Sequence, residues 1–225
     1  MTRLSKEFQV KLNLKRWMLS GLAVSAVITS LSACAPLVVG SAVMSGMVAI
    51  DRRTTGIQLE DEGIELRTAQ GLRQNLSDAA HVNVTSYNRM VLLTGEVSSA
   101  AEKDRAERLA KSQENVNSVV NDLAVQPASS LTQRSKDAIT TGQIKALLVD
   151  AKDLQSNAFK VITERGIVYL MGRVTAREAQ RASEIARSGS VSGVVKVVRV
   201  FETISEDELK RISAQPLSPQ AQPKL

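Results

Sequence analysis

Residues 82–97, VNVTSYNRMVLLTGEV, and residues 159–174, FKVITERGIVYLMGRV, follow one pattern. Each alternates apolar and polar residues, breaks at a two-residue turn (Asn88-Arg89; Arg165-Gly166) and resumes as an apolar strand. Each ends in Gly-x-Val, at Gly95-Glu96-Val97 and Gly172-Arg173-Val174. Alternation around such a break predicts a β-hairpin. The correspondence continues into Ser99-Ala-Ala-Glu102 and Thr175-Ala-Arg-Glu178. Both read as capping boxes, with a hydroxyl at the N-cap and a glutamate three residues on. The helices that follow turn Ala106/Leu109/Ala110 and Ala182/Ile185/Ala186 to one side. Val116-Asn-Ser-Val-Val120 then aligns with Val191-Ser-Gly-Val-Val195, and strands run on to Val125 and Phe201.

A helical segment precedes each hairpin. Ile64, Leu72 and Leu76 form its apolar face in the first copy. In the second, Asp137 is placed to cap, and Ile144, Leu147 and Leu148 face inward. Each unit is therefore helix–strand–strand–helix–strand, about 65–70 residues, a size at which many domains fold alone. All five prolines fall outside the two units. The predicted class is α+β: two tandem αββαβ sandwiches, each a three-stranded sheet with two helices on one face. The boundaries are 60–126 and 134–204, with a linker at 127–133 and a disordered tail at 205–225. The alternation leaves one face of each sheet open, or packed on the other domain.

The first domain holds seven basic and eleven acidic residues, a net of −4. The second holds twelve and seven, a net of +5. This divergence predicts an electrostatic contact between the domains that salt loosens. The composition excludes other classes. One cysteine and one histidine rule out an intramolecular disulfide and a Cys/His zinc site. There is no nucleophile elbow, phosphate loop or dinucleotide fingerprint. His81 stands alone before a strand, and Asp61/Glu62 and Asp150/Asp153 read as solvated pairs. No enzyme, metal or cofactor is expected.

Residues 1–16 are basic and 17–33 are apolar and uncharged, the plan of an export signal. The run ends in Leu31-Ser32-Ala33-Cys34, which resembles the bacterial lipobox. The resemblance implies cleavage before Cys34 and acylation, palmitate included, of that cysteine. Several acyl chains make a stable anchor where one is marginal. Ala35, in place of aspartate, implies sorting to the outer membrane. Residues 34–59 are then a lipidated tether. Within it Leu37–Ile50 is apolar, but about 21 Å as a helix, too short to span a bilayer. An exported chain also puts nucleic acid out of reach as a partner.

The helix–hairpin–helix–strand unit, with Gly-x-Val, an acidic capped helix and V-x-x-V-V, resembles the BON domain. Two such units behind a lipobox cysteine are similar to the dual BON-domain outer-membrane lipoproteins, the DolP family. The resemblance implies a non-enzymatic protein on the periplasmic face of the outer membrane that supports envelope integrity. It implies that the second domain binds anionic phospholipid. The alternative is an adaptor for envelope proteins, using Leu37–Ile50 or the open sheets. Two surfaces of the second domain compete for phosphate. One is the opening of its first helix, read as starting near Ser135, where Lys136, Thr140, Thr141, Gly142 and Lys145 would join free N–H donors. The other is the arginine face of the capped helix: Arg173, Arg177, Arg181 and Arg187. The first is preferred, because donors and hydroxyls suit a phosphate better than point charge alone.

Overall fold

The computed structural model describes residues 51–214. The export signal, Cys34, Leu37–Ile50 and residues 215–225 lie outside them.

In the first domain α1 (Thr55–Asn75) precedes the hairpin of β1 (His81–Tyr87) and β2 (Met90–Val97). Then come α2 (Ala100–Lys111) and a broken third strand, β3 (Ser118–Asn121) and β4 (Ala124–Val125). Both pieces run parallel to β2, which is central. The break lets Leu123 turn into the core. The second domain repeats the order with α3 (Leu131–Asp150), β5 (Phe159–Glu164), β6 (Ile167–Thr175), α4 (Ala176–Arg187) and β7 (Lys196–Ile204). Here β7 pairs with β6 without a break.

Gly-x-Val follows from a close approach. A Cβ at Gly95 would lie 2.1 Å from the His81 carbonyl oxygen, and one at Gly172 would lie 2.3 Å from that of Ala158. Both hairpin turns use left-handed residues, Asn88 and Arg89 in one and Arg165 and Gly166 in the other, which matches the strand twist. Each turn is clasped from its domain's first helix. Asp61 accepts from the backbone N–H groups of Asn88 (2.8 Å) and Arg89 (2.7 Å). Asp137 accepts from those of Arg165 (2.8 Å) and Gly166 (2.9 Å). Both aspartates are buried, so Asp61 is not solvated and Asp137 is not a cap. The cap of α3 is Ser130, whose side chain accepts from Gln133 N–H.

Other details depart from expectation. The capping box is complete in α4. In α2, Ser99 caps, but the Glu102 carboxylate reaches back to the N–H groups of Ser98 and Ser77. Residues 206–214 are helical (α5, Glu206–Ala214), not a tail. Ser205 accepts from Glu208 N–H, and three acids in the first turn complement the helix dipole. Residues 51–59, expected in the tether, belong to the fold. The third strands correspond through Val119 opposite Val91 and Val197 opposite Val168. Their offset is therefore 78, not 75.

The helices cover one face of each sheet over separate cores, around Ile64, Val91 and Leu93 in the first domain and Ile144, Val168 and Leu170 in the second. The other faces close on each other. Tyr87, Leu92, Tyr169, Met171 and Val200 form a third apolar cluster between the sheets. Neither sheet face remains open for an adaptor role. Because β2 and β6 are buried on both sides, their sequences read as continuous apolar runs.

Candidate functional site

The expected phosphate site takes a different form. Helix α3 starts at Leu131, so Thr140, Thr141 and Gly142 lie in its interior, where backbone N–H groups are spent on the helix. Thr140 is buried and donates to the Ser192 carbonyl, 3.3 Å. Thr141 donates to the Thr163 hydroxyl, 2.8 Å. Neither hydroxyl is available to a ligand. Lys136 and Lys145 are exposed and make no ion pair with a described residue. Nine residues apart, they lie on opposite flanks of the helix. The sequence does hold a signal for the true start: Ser130 followed three residues later by Gln133.

Between the lysines runs an apolar stripe that sequence reasoning missed. Leu131 (79% exposed), Ile139 (62%) and Val149 (67%) face solvent, along with Ala138, Gly142 and Ala146. The first domain provides an internal control. Buried positions of α1 (Asp61, Ile64, Thr68, Leu72) and α3 (Asp137, Thr140, Ile144, Leu148) correspond at an offset of 76. At that offset the stripe falls on Thr55, Gly63, Arg73, Glu62, Leu66 and Gln70, and Lys136 falls on Glu60. Helix α1 also exposes two leucines, Leu59 (64%) and Leu66 (65%), but Glu60, Glu62 and Arg73 stand among them, so the lysine flanks and the uncharged stripe belong to the second domain.

Of the arginines expected on the capped helix, Arg173 lies on β6 instead, Arg187 is exposed on α4 with no ion pair to a described residue, and the others are engaged. Arg173 pairs with Glu202 (2.9 Å) and Glu208. Arg181 pairs with Asp153 at 3.1 Å, and Arg177 donates to the Asp153 carbonyl.

Polar contacts ring the seam between the domains. Acids of the first domain meet bases of the second at Glu65–Lys160 (2.6 Å) and Glu96–Arg165. Tyr169 donates to Asp122 at 2.9 Å. Arg52, ahead of the first domain, reaches across to the second. Its guanidinium is buried, forks onto Glu178 (2.7 and 2.8 Å) and donates to the Arg173 carbonyl. Burial alone would push the Glu178 carboxyl up, but Arg52 and the Thr175 amide hold it below the ordinary carboxylate range. Arg53 pairs with Asp61 at 2.8 Å and stacks 4.2 Å from the centre of the Tyr87 ring.

His81 is not alone. It lies 3.1 Å from Glu96, and its ring, Glu96 and Glu164 bring possible ligand atoms within 4.8 Å of one another. This is the one such cluster among the described residues. Arg165, the Ser129 amide and His81 already take up the Glu96 carboxylate, so the group reads as a charge network. Burial favours raising Glu96, and those donors override it downward. Glu164 has only the neutral Asn83 amide, 2.6 Å, and burial pushes its carboxyl up. Among the described residues no helix is long and apolar enough to cross a membrane.

Residues 60–127 and 136–204 each match the BON domain. The chain is 41% identical to the outer membrane lipoprotein DolP of Haemophilus influenzae, over 76% of this chain and 89% of that protein. It is 34% identical to a 21 kDa hemolysin of Actinobacillus pleuropneumoniae, over 69% of this chain and 80% of that one. The osmotically-inducible protein Y of Escherichia coli is 34% identical over 54% of this chain and 61% of its own length. Two BON matches in tandem, on the two repeats that the fold lays face to face, place this chain in the BON-domain family, as a dual-domain member of the DolP type.

Proposed function

We propose that this envelope protein is a non-enzymatic lipoprotein, anchored through Cys34 on the periplasmic face of the outer membrane, whose second BON domain docks on anionic phospholipid and supports envelope integrity. The observation that carries the docking is the outer face of α3. Large apolar residues stand exposed along a stripe of small ones, with an unpaired lysine on each flank. A helix of this kind lies in the headgroup layer, gaining from buried apolar area and from about 1 kcal/mol per lysine near an anionic surface. Lys136 and Lys145 remain in the site as flanking charges, and Gly142 as part of the stripe. Thr140 and Thr141 act as supports, tying the helix to the body of the domain.

Flotation of residues 51–225 with vesicles tests this. Binding rises with phosphatidylglycerol content, falls with salt, and is lost on Lys136→Glu with Lys145→Glu while the melting curve is unchanged. Flotation that persists in the double variant, or that is equal on phosphatidylcholine, contradicts the reading.

A further inference from the structure

We infer that the lipid-contacting surface extends off α3 onto the loop between α4 and β7, where Val195 and Lys196 meet the same anionic headgroup layer. The inference rests on the α3 reading and adds a second element to it.

The two repeats carry the argument. Residues 112–117 join α2 to β3, and residues 188–195 join α4 to β7. The helices correspond at an offset of 76 and the strands at 78, so the second loop is longer by two residues. That longer loop ends in Val195, which is 79% exposed. Lys196 beside it is exposed and makes no ion pair with a described residue. The first domain has Asn117 and Ser118 there.

The loop is held against α3. Val195 N–H donates to the Gly166 carbonyl at 2.8 Å, and Gly166 N–H donates to Asp137 of α3 at 2.9 Å. Thr140 of α3 donates to the Ser192 carbonyl at 3.3 Å. These bonds set the loop beside the turns of α3 that expose Lys136 and Ile139. One end of the second domain therefore gathers Ile139, Val195, Lys136 and Lys196. The matching positions of the first domain are Gly63, Asn117, Glu60 and Ser118. A single exposed valine is ordinary. Two bulky aliphatic residues and two unpaired lysines, on separate elements tied by hydrogen bonds and absent from the sister domain, form a built surface. Its single sign of charge selects an anionic bilayer as the occupant.

The test uses residues 51–225, which contain no tryptophan. A new tryptophan is placed by Val195→Trp, Ile139→Trp or Asn117→Trp, and the chain is mixed with brominated vesicles. In phosphatidylglycerol vesicles the Val195→Trp and Ile139→Trp emissions are quenched and that of Asn117→Trp is not. Adding Lys196→Glu weakens vesicle binding by about fivefold or more. Quenching of Ile139→Trp without Val195→Trp means that α3 docks without the loop; the inference then falls and the reading above stands. No quenching of either overturns both. Equal quenching in phosphatidylcholine vesicles overturns the anionic selectivity of the surface.

Discussion

Asp61 and Asp137 do the same work in the two repeats, and neither contacts anything outside its fold. A short carboxylate near the start of the first helix can accept two N–H groups from a turn whose left-handed residues point them all one way. Replacing it with asparagine turns one acceptor atom into a donor facing donors. Asp137→Asn is expected to cost about 1–3 kcal/mol, the range for a buried group left unsatisfied. Asp61→Asn should cost more, because Asp61 also accepts from Ser86 Oγ and pairs with Arg53. Urea unfolding of the two variants checks both; a melt equal to wild type at Asp137 refutes the clasp. Glu102 shows the same logic at the surface. Hydrogen bonds from Ser98 and Ser77 bring its carboxyl down to about 2.

Among the elements, the short segment before α1 has the largest consequence for its length. Asp51, Arg52 and Arg53 precede the first domain in sequence, yet Arg52 spends its guanidinium on the second. Its partner Glu178 also completes the α4 capping box, accepting from Thr175 N–H at 3.0 Å. Removing Arg52 leaves that carboxylate buried without a cation, which costs about 3–5 kcal/mol for such pairs. Arg52→Ala should therefore lower the melting temperature and raise hydrogen exchange at the start of α4. Arg52→Lys, which keeps the charge but not the fork, should fall between. Unchanged exchange at Thr175–Ala179 in Arg52→Ala would show that the strap is dispensable.

In the whole molecule the seam decides how the domains respond to solution conditions. A fully buried Leu or Met side chain contributes about 1.5–3 kcal/mol, against about 0–1 for an exposed ion pair. Apolar residues dominate the seam, so the salt-loosened contact expected from the domain charges is replaced by a salt-resistant one. Small-angle scattering profiles should coincide from low salt to about 1 M, where the Debye length is about 3 Å. Leu92→Asp should instead open the domains at every salt concentration. pH acts through buried carboxylates of opposite shift. Glu164 is raised, so its folded form holds a proton more tightly than the unfolded chain does, and stability rises as pH falls from neutral toward 4.5. Glu96 and Glu178 are lowered, so stability is lost as pH falls further through their folded values. The melting temperature should peak in mild acid, and Glu164→Gln should flatten the limb between neutral pH and the peak.

The repeat, the hairpin turns, the helix faces and the α+β class were legible in the sequence, because period, turn chemistry and capping are local properties. Residues 82–97 and 159–174 state them within a few positions of one another. What needed tertiary structure was which partner each polar group takes and which apolar groups stay in solvent. Asp137 and Ser130 both suit a cap, and the choice fell to Ser130 because the β5–β6 turn claims the aspartate. Thr140 reads as a hydroxyl for a ligand until the α4–β7 loop takes it. Ile139 and Val149 belong to no face that the pattern marks, and the packing of Ile144 and Leu148 inward leaves them in solvent. Arg52 reads as part of a tether until the two sheets close and bring Glu178 within its reach. Pattern along the chain determines which elements form, while long-range packing determines which of their faces remain to meet something else.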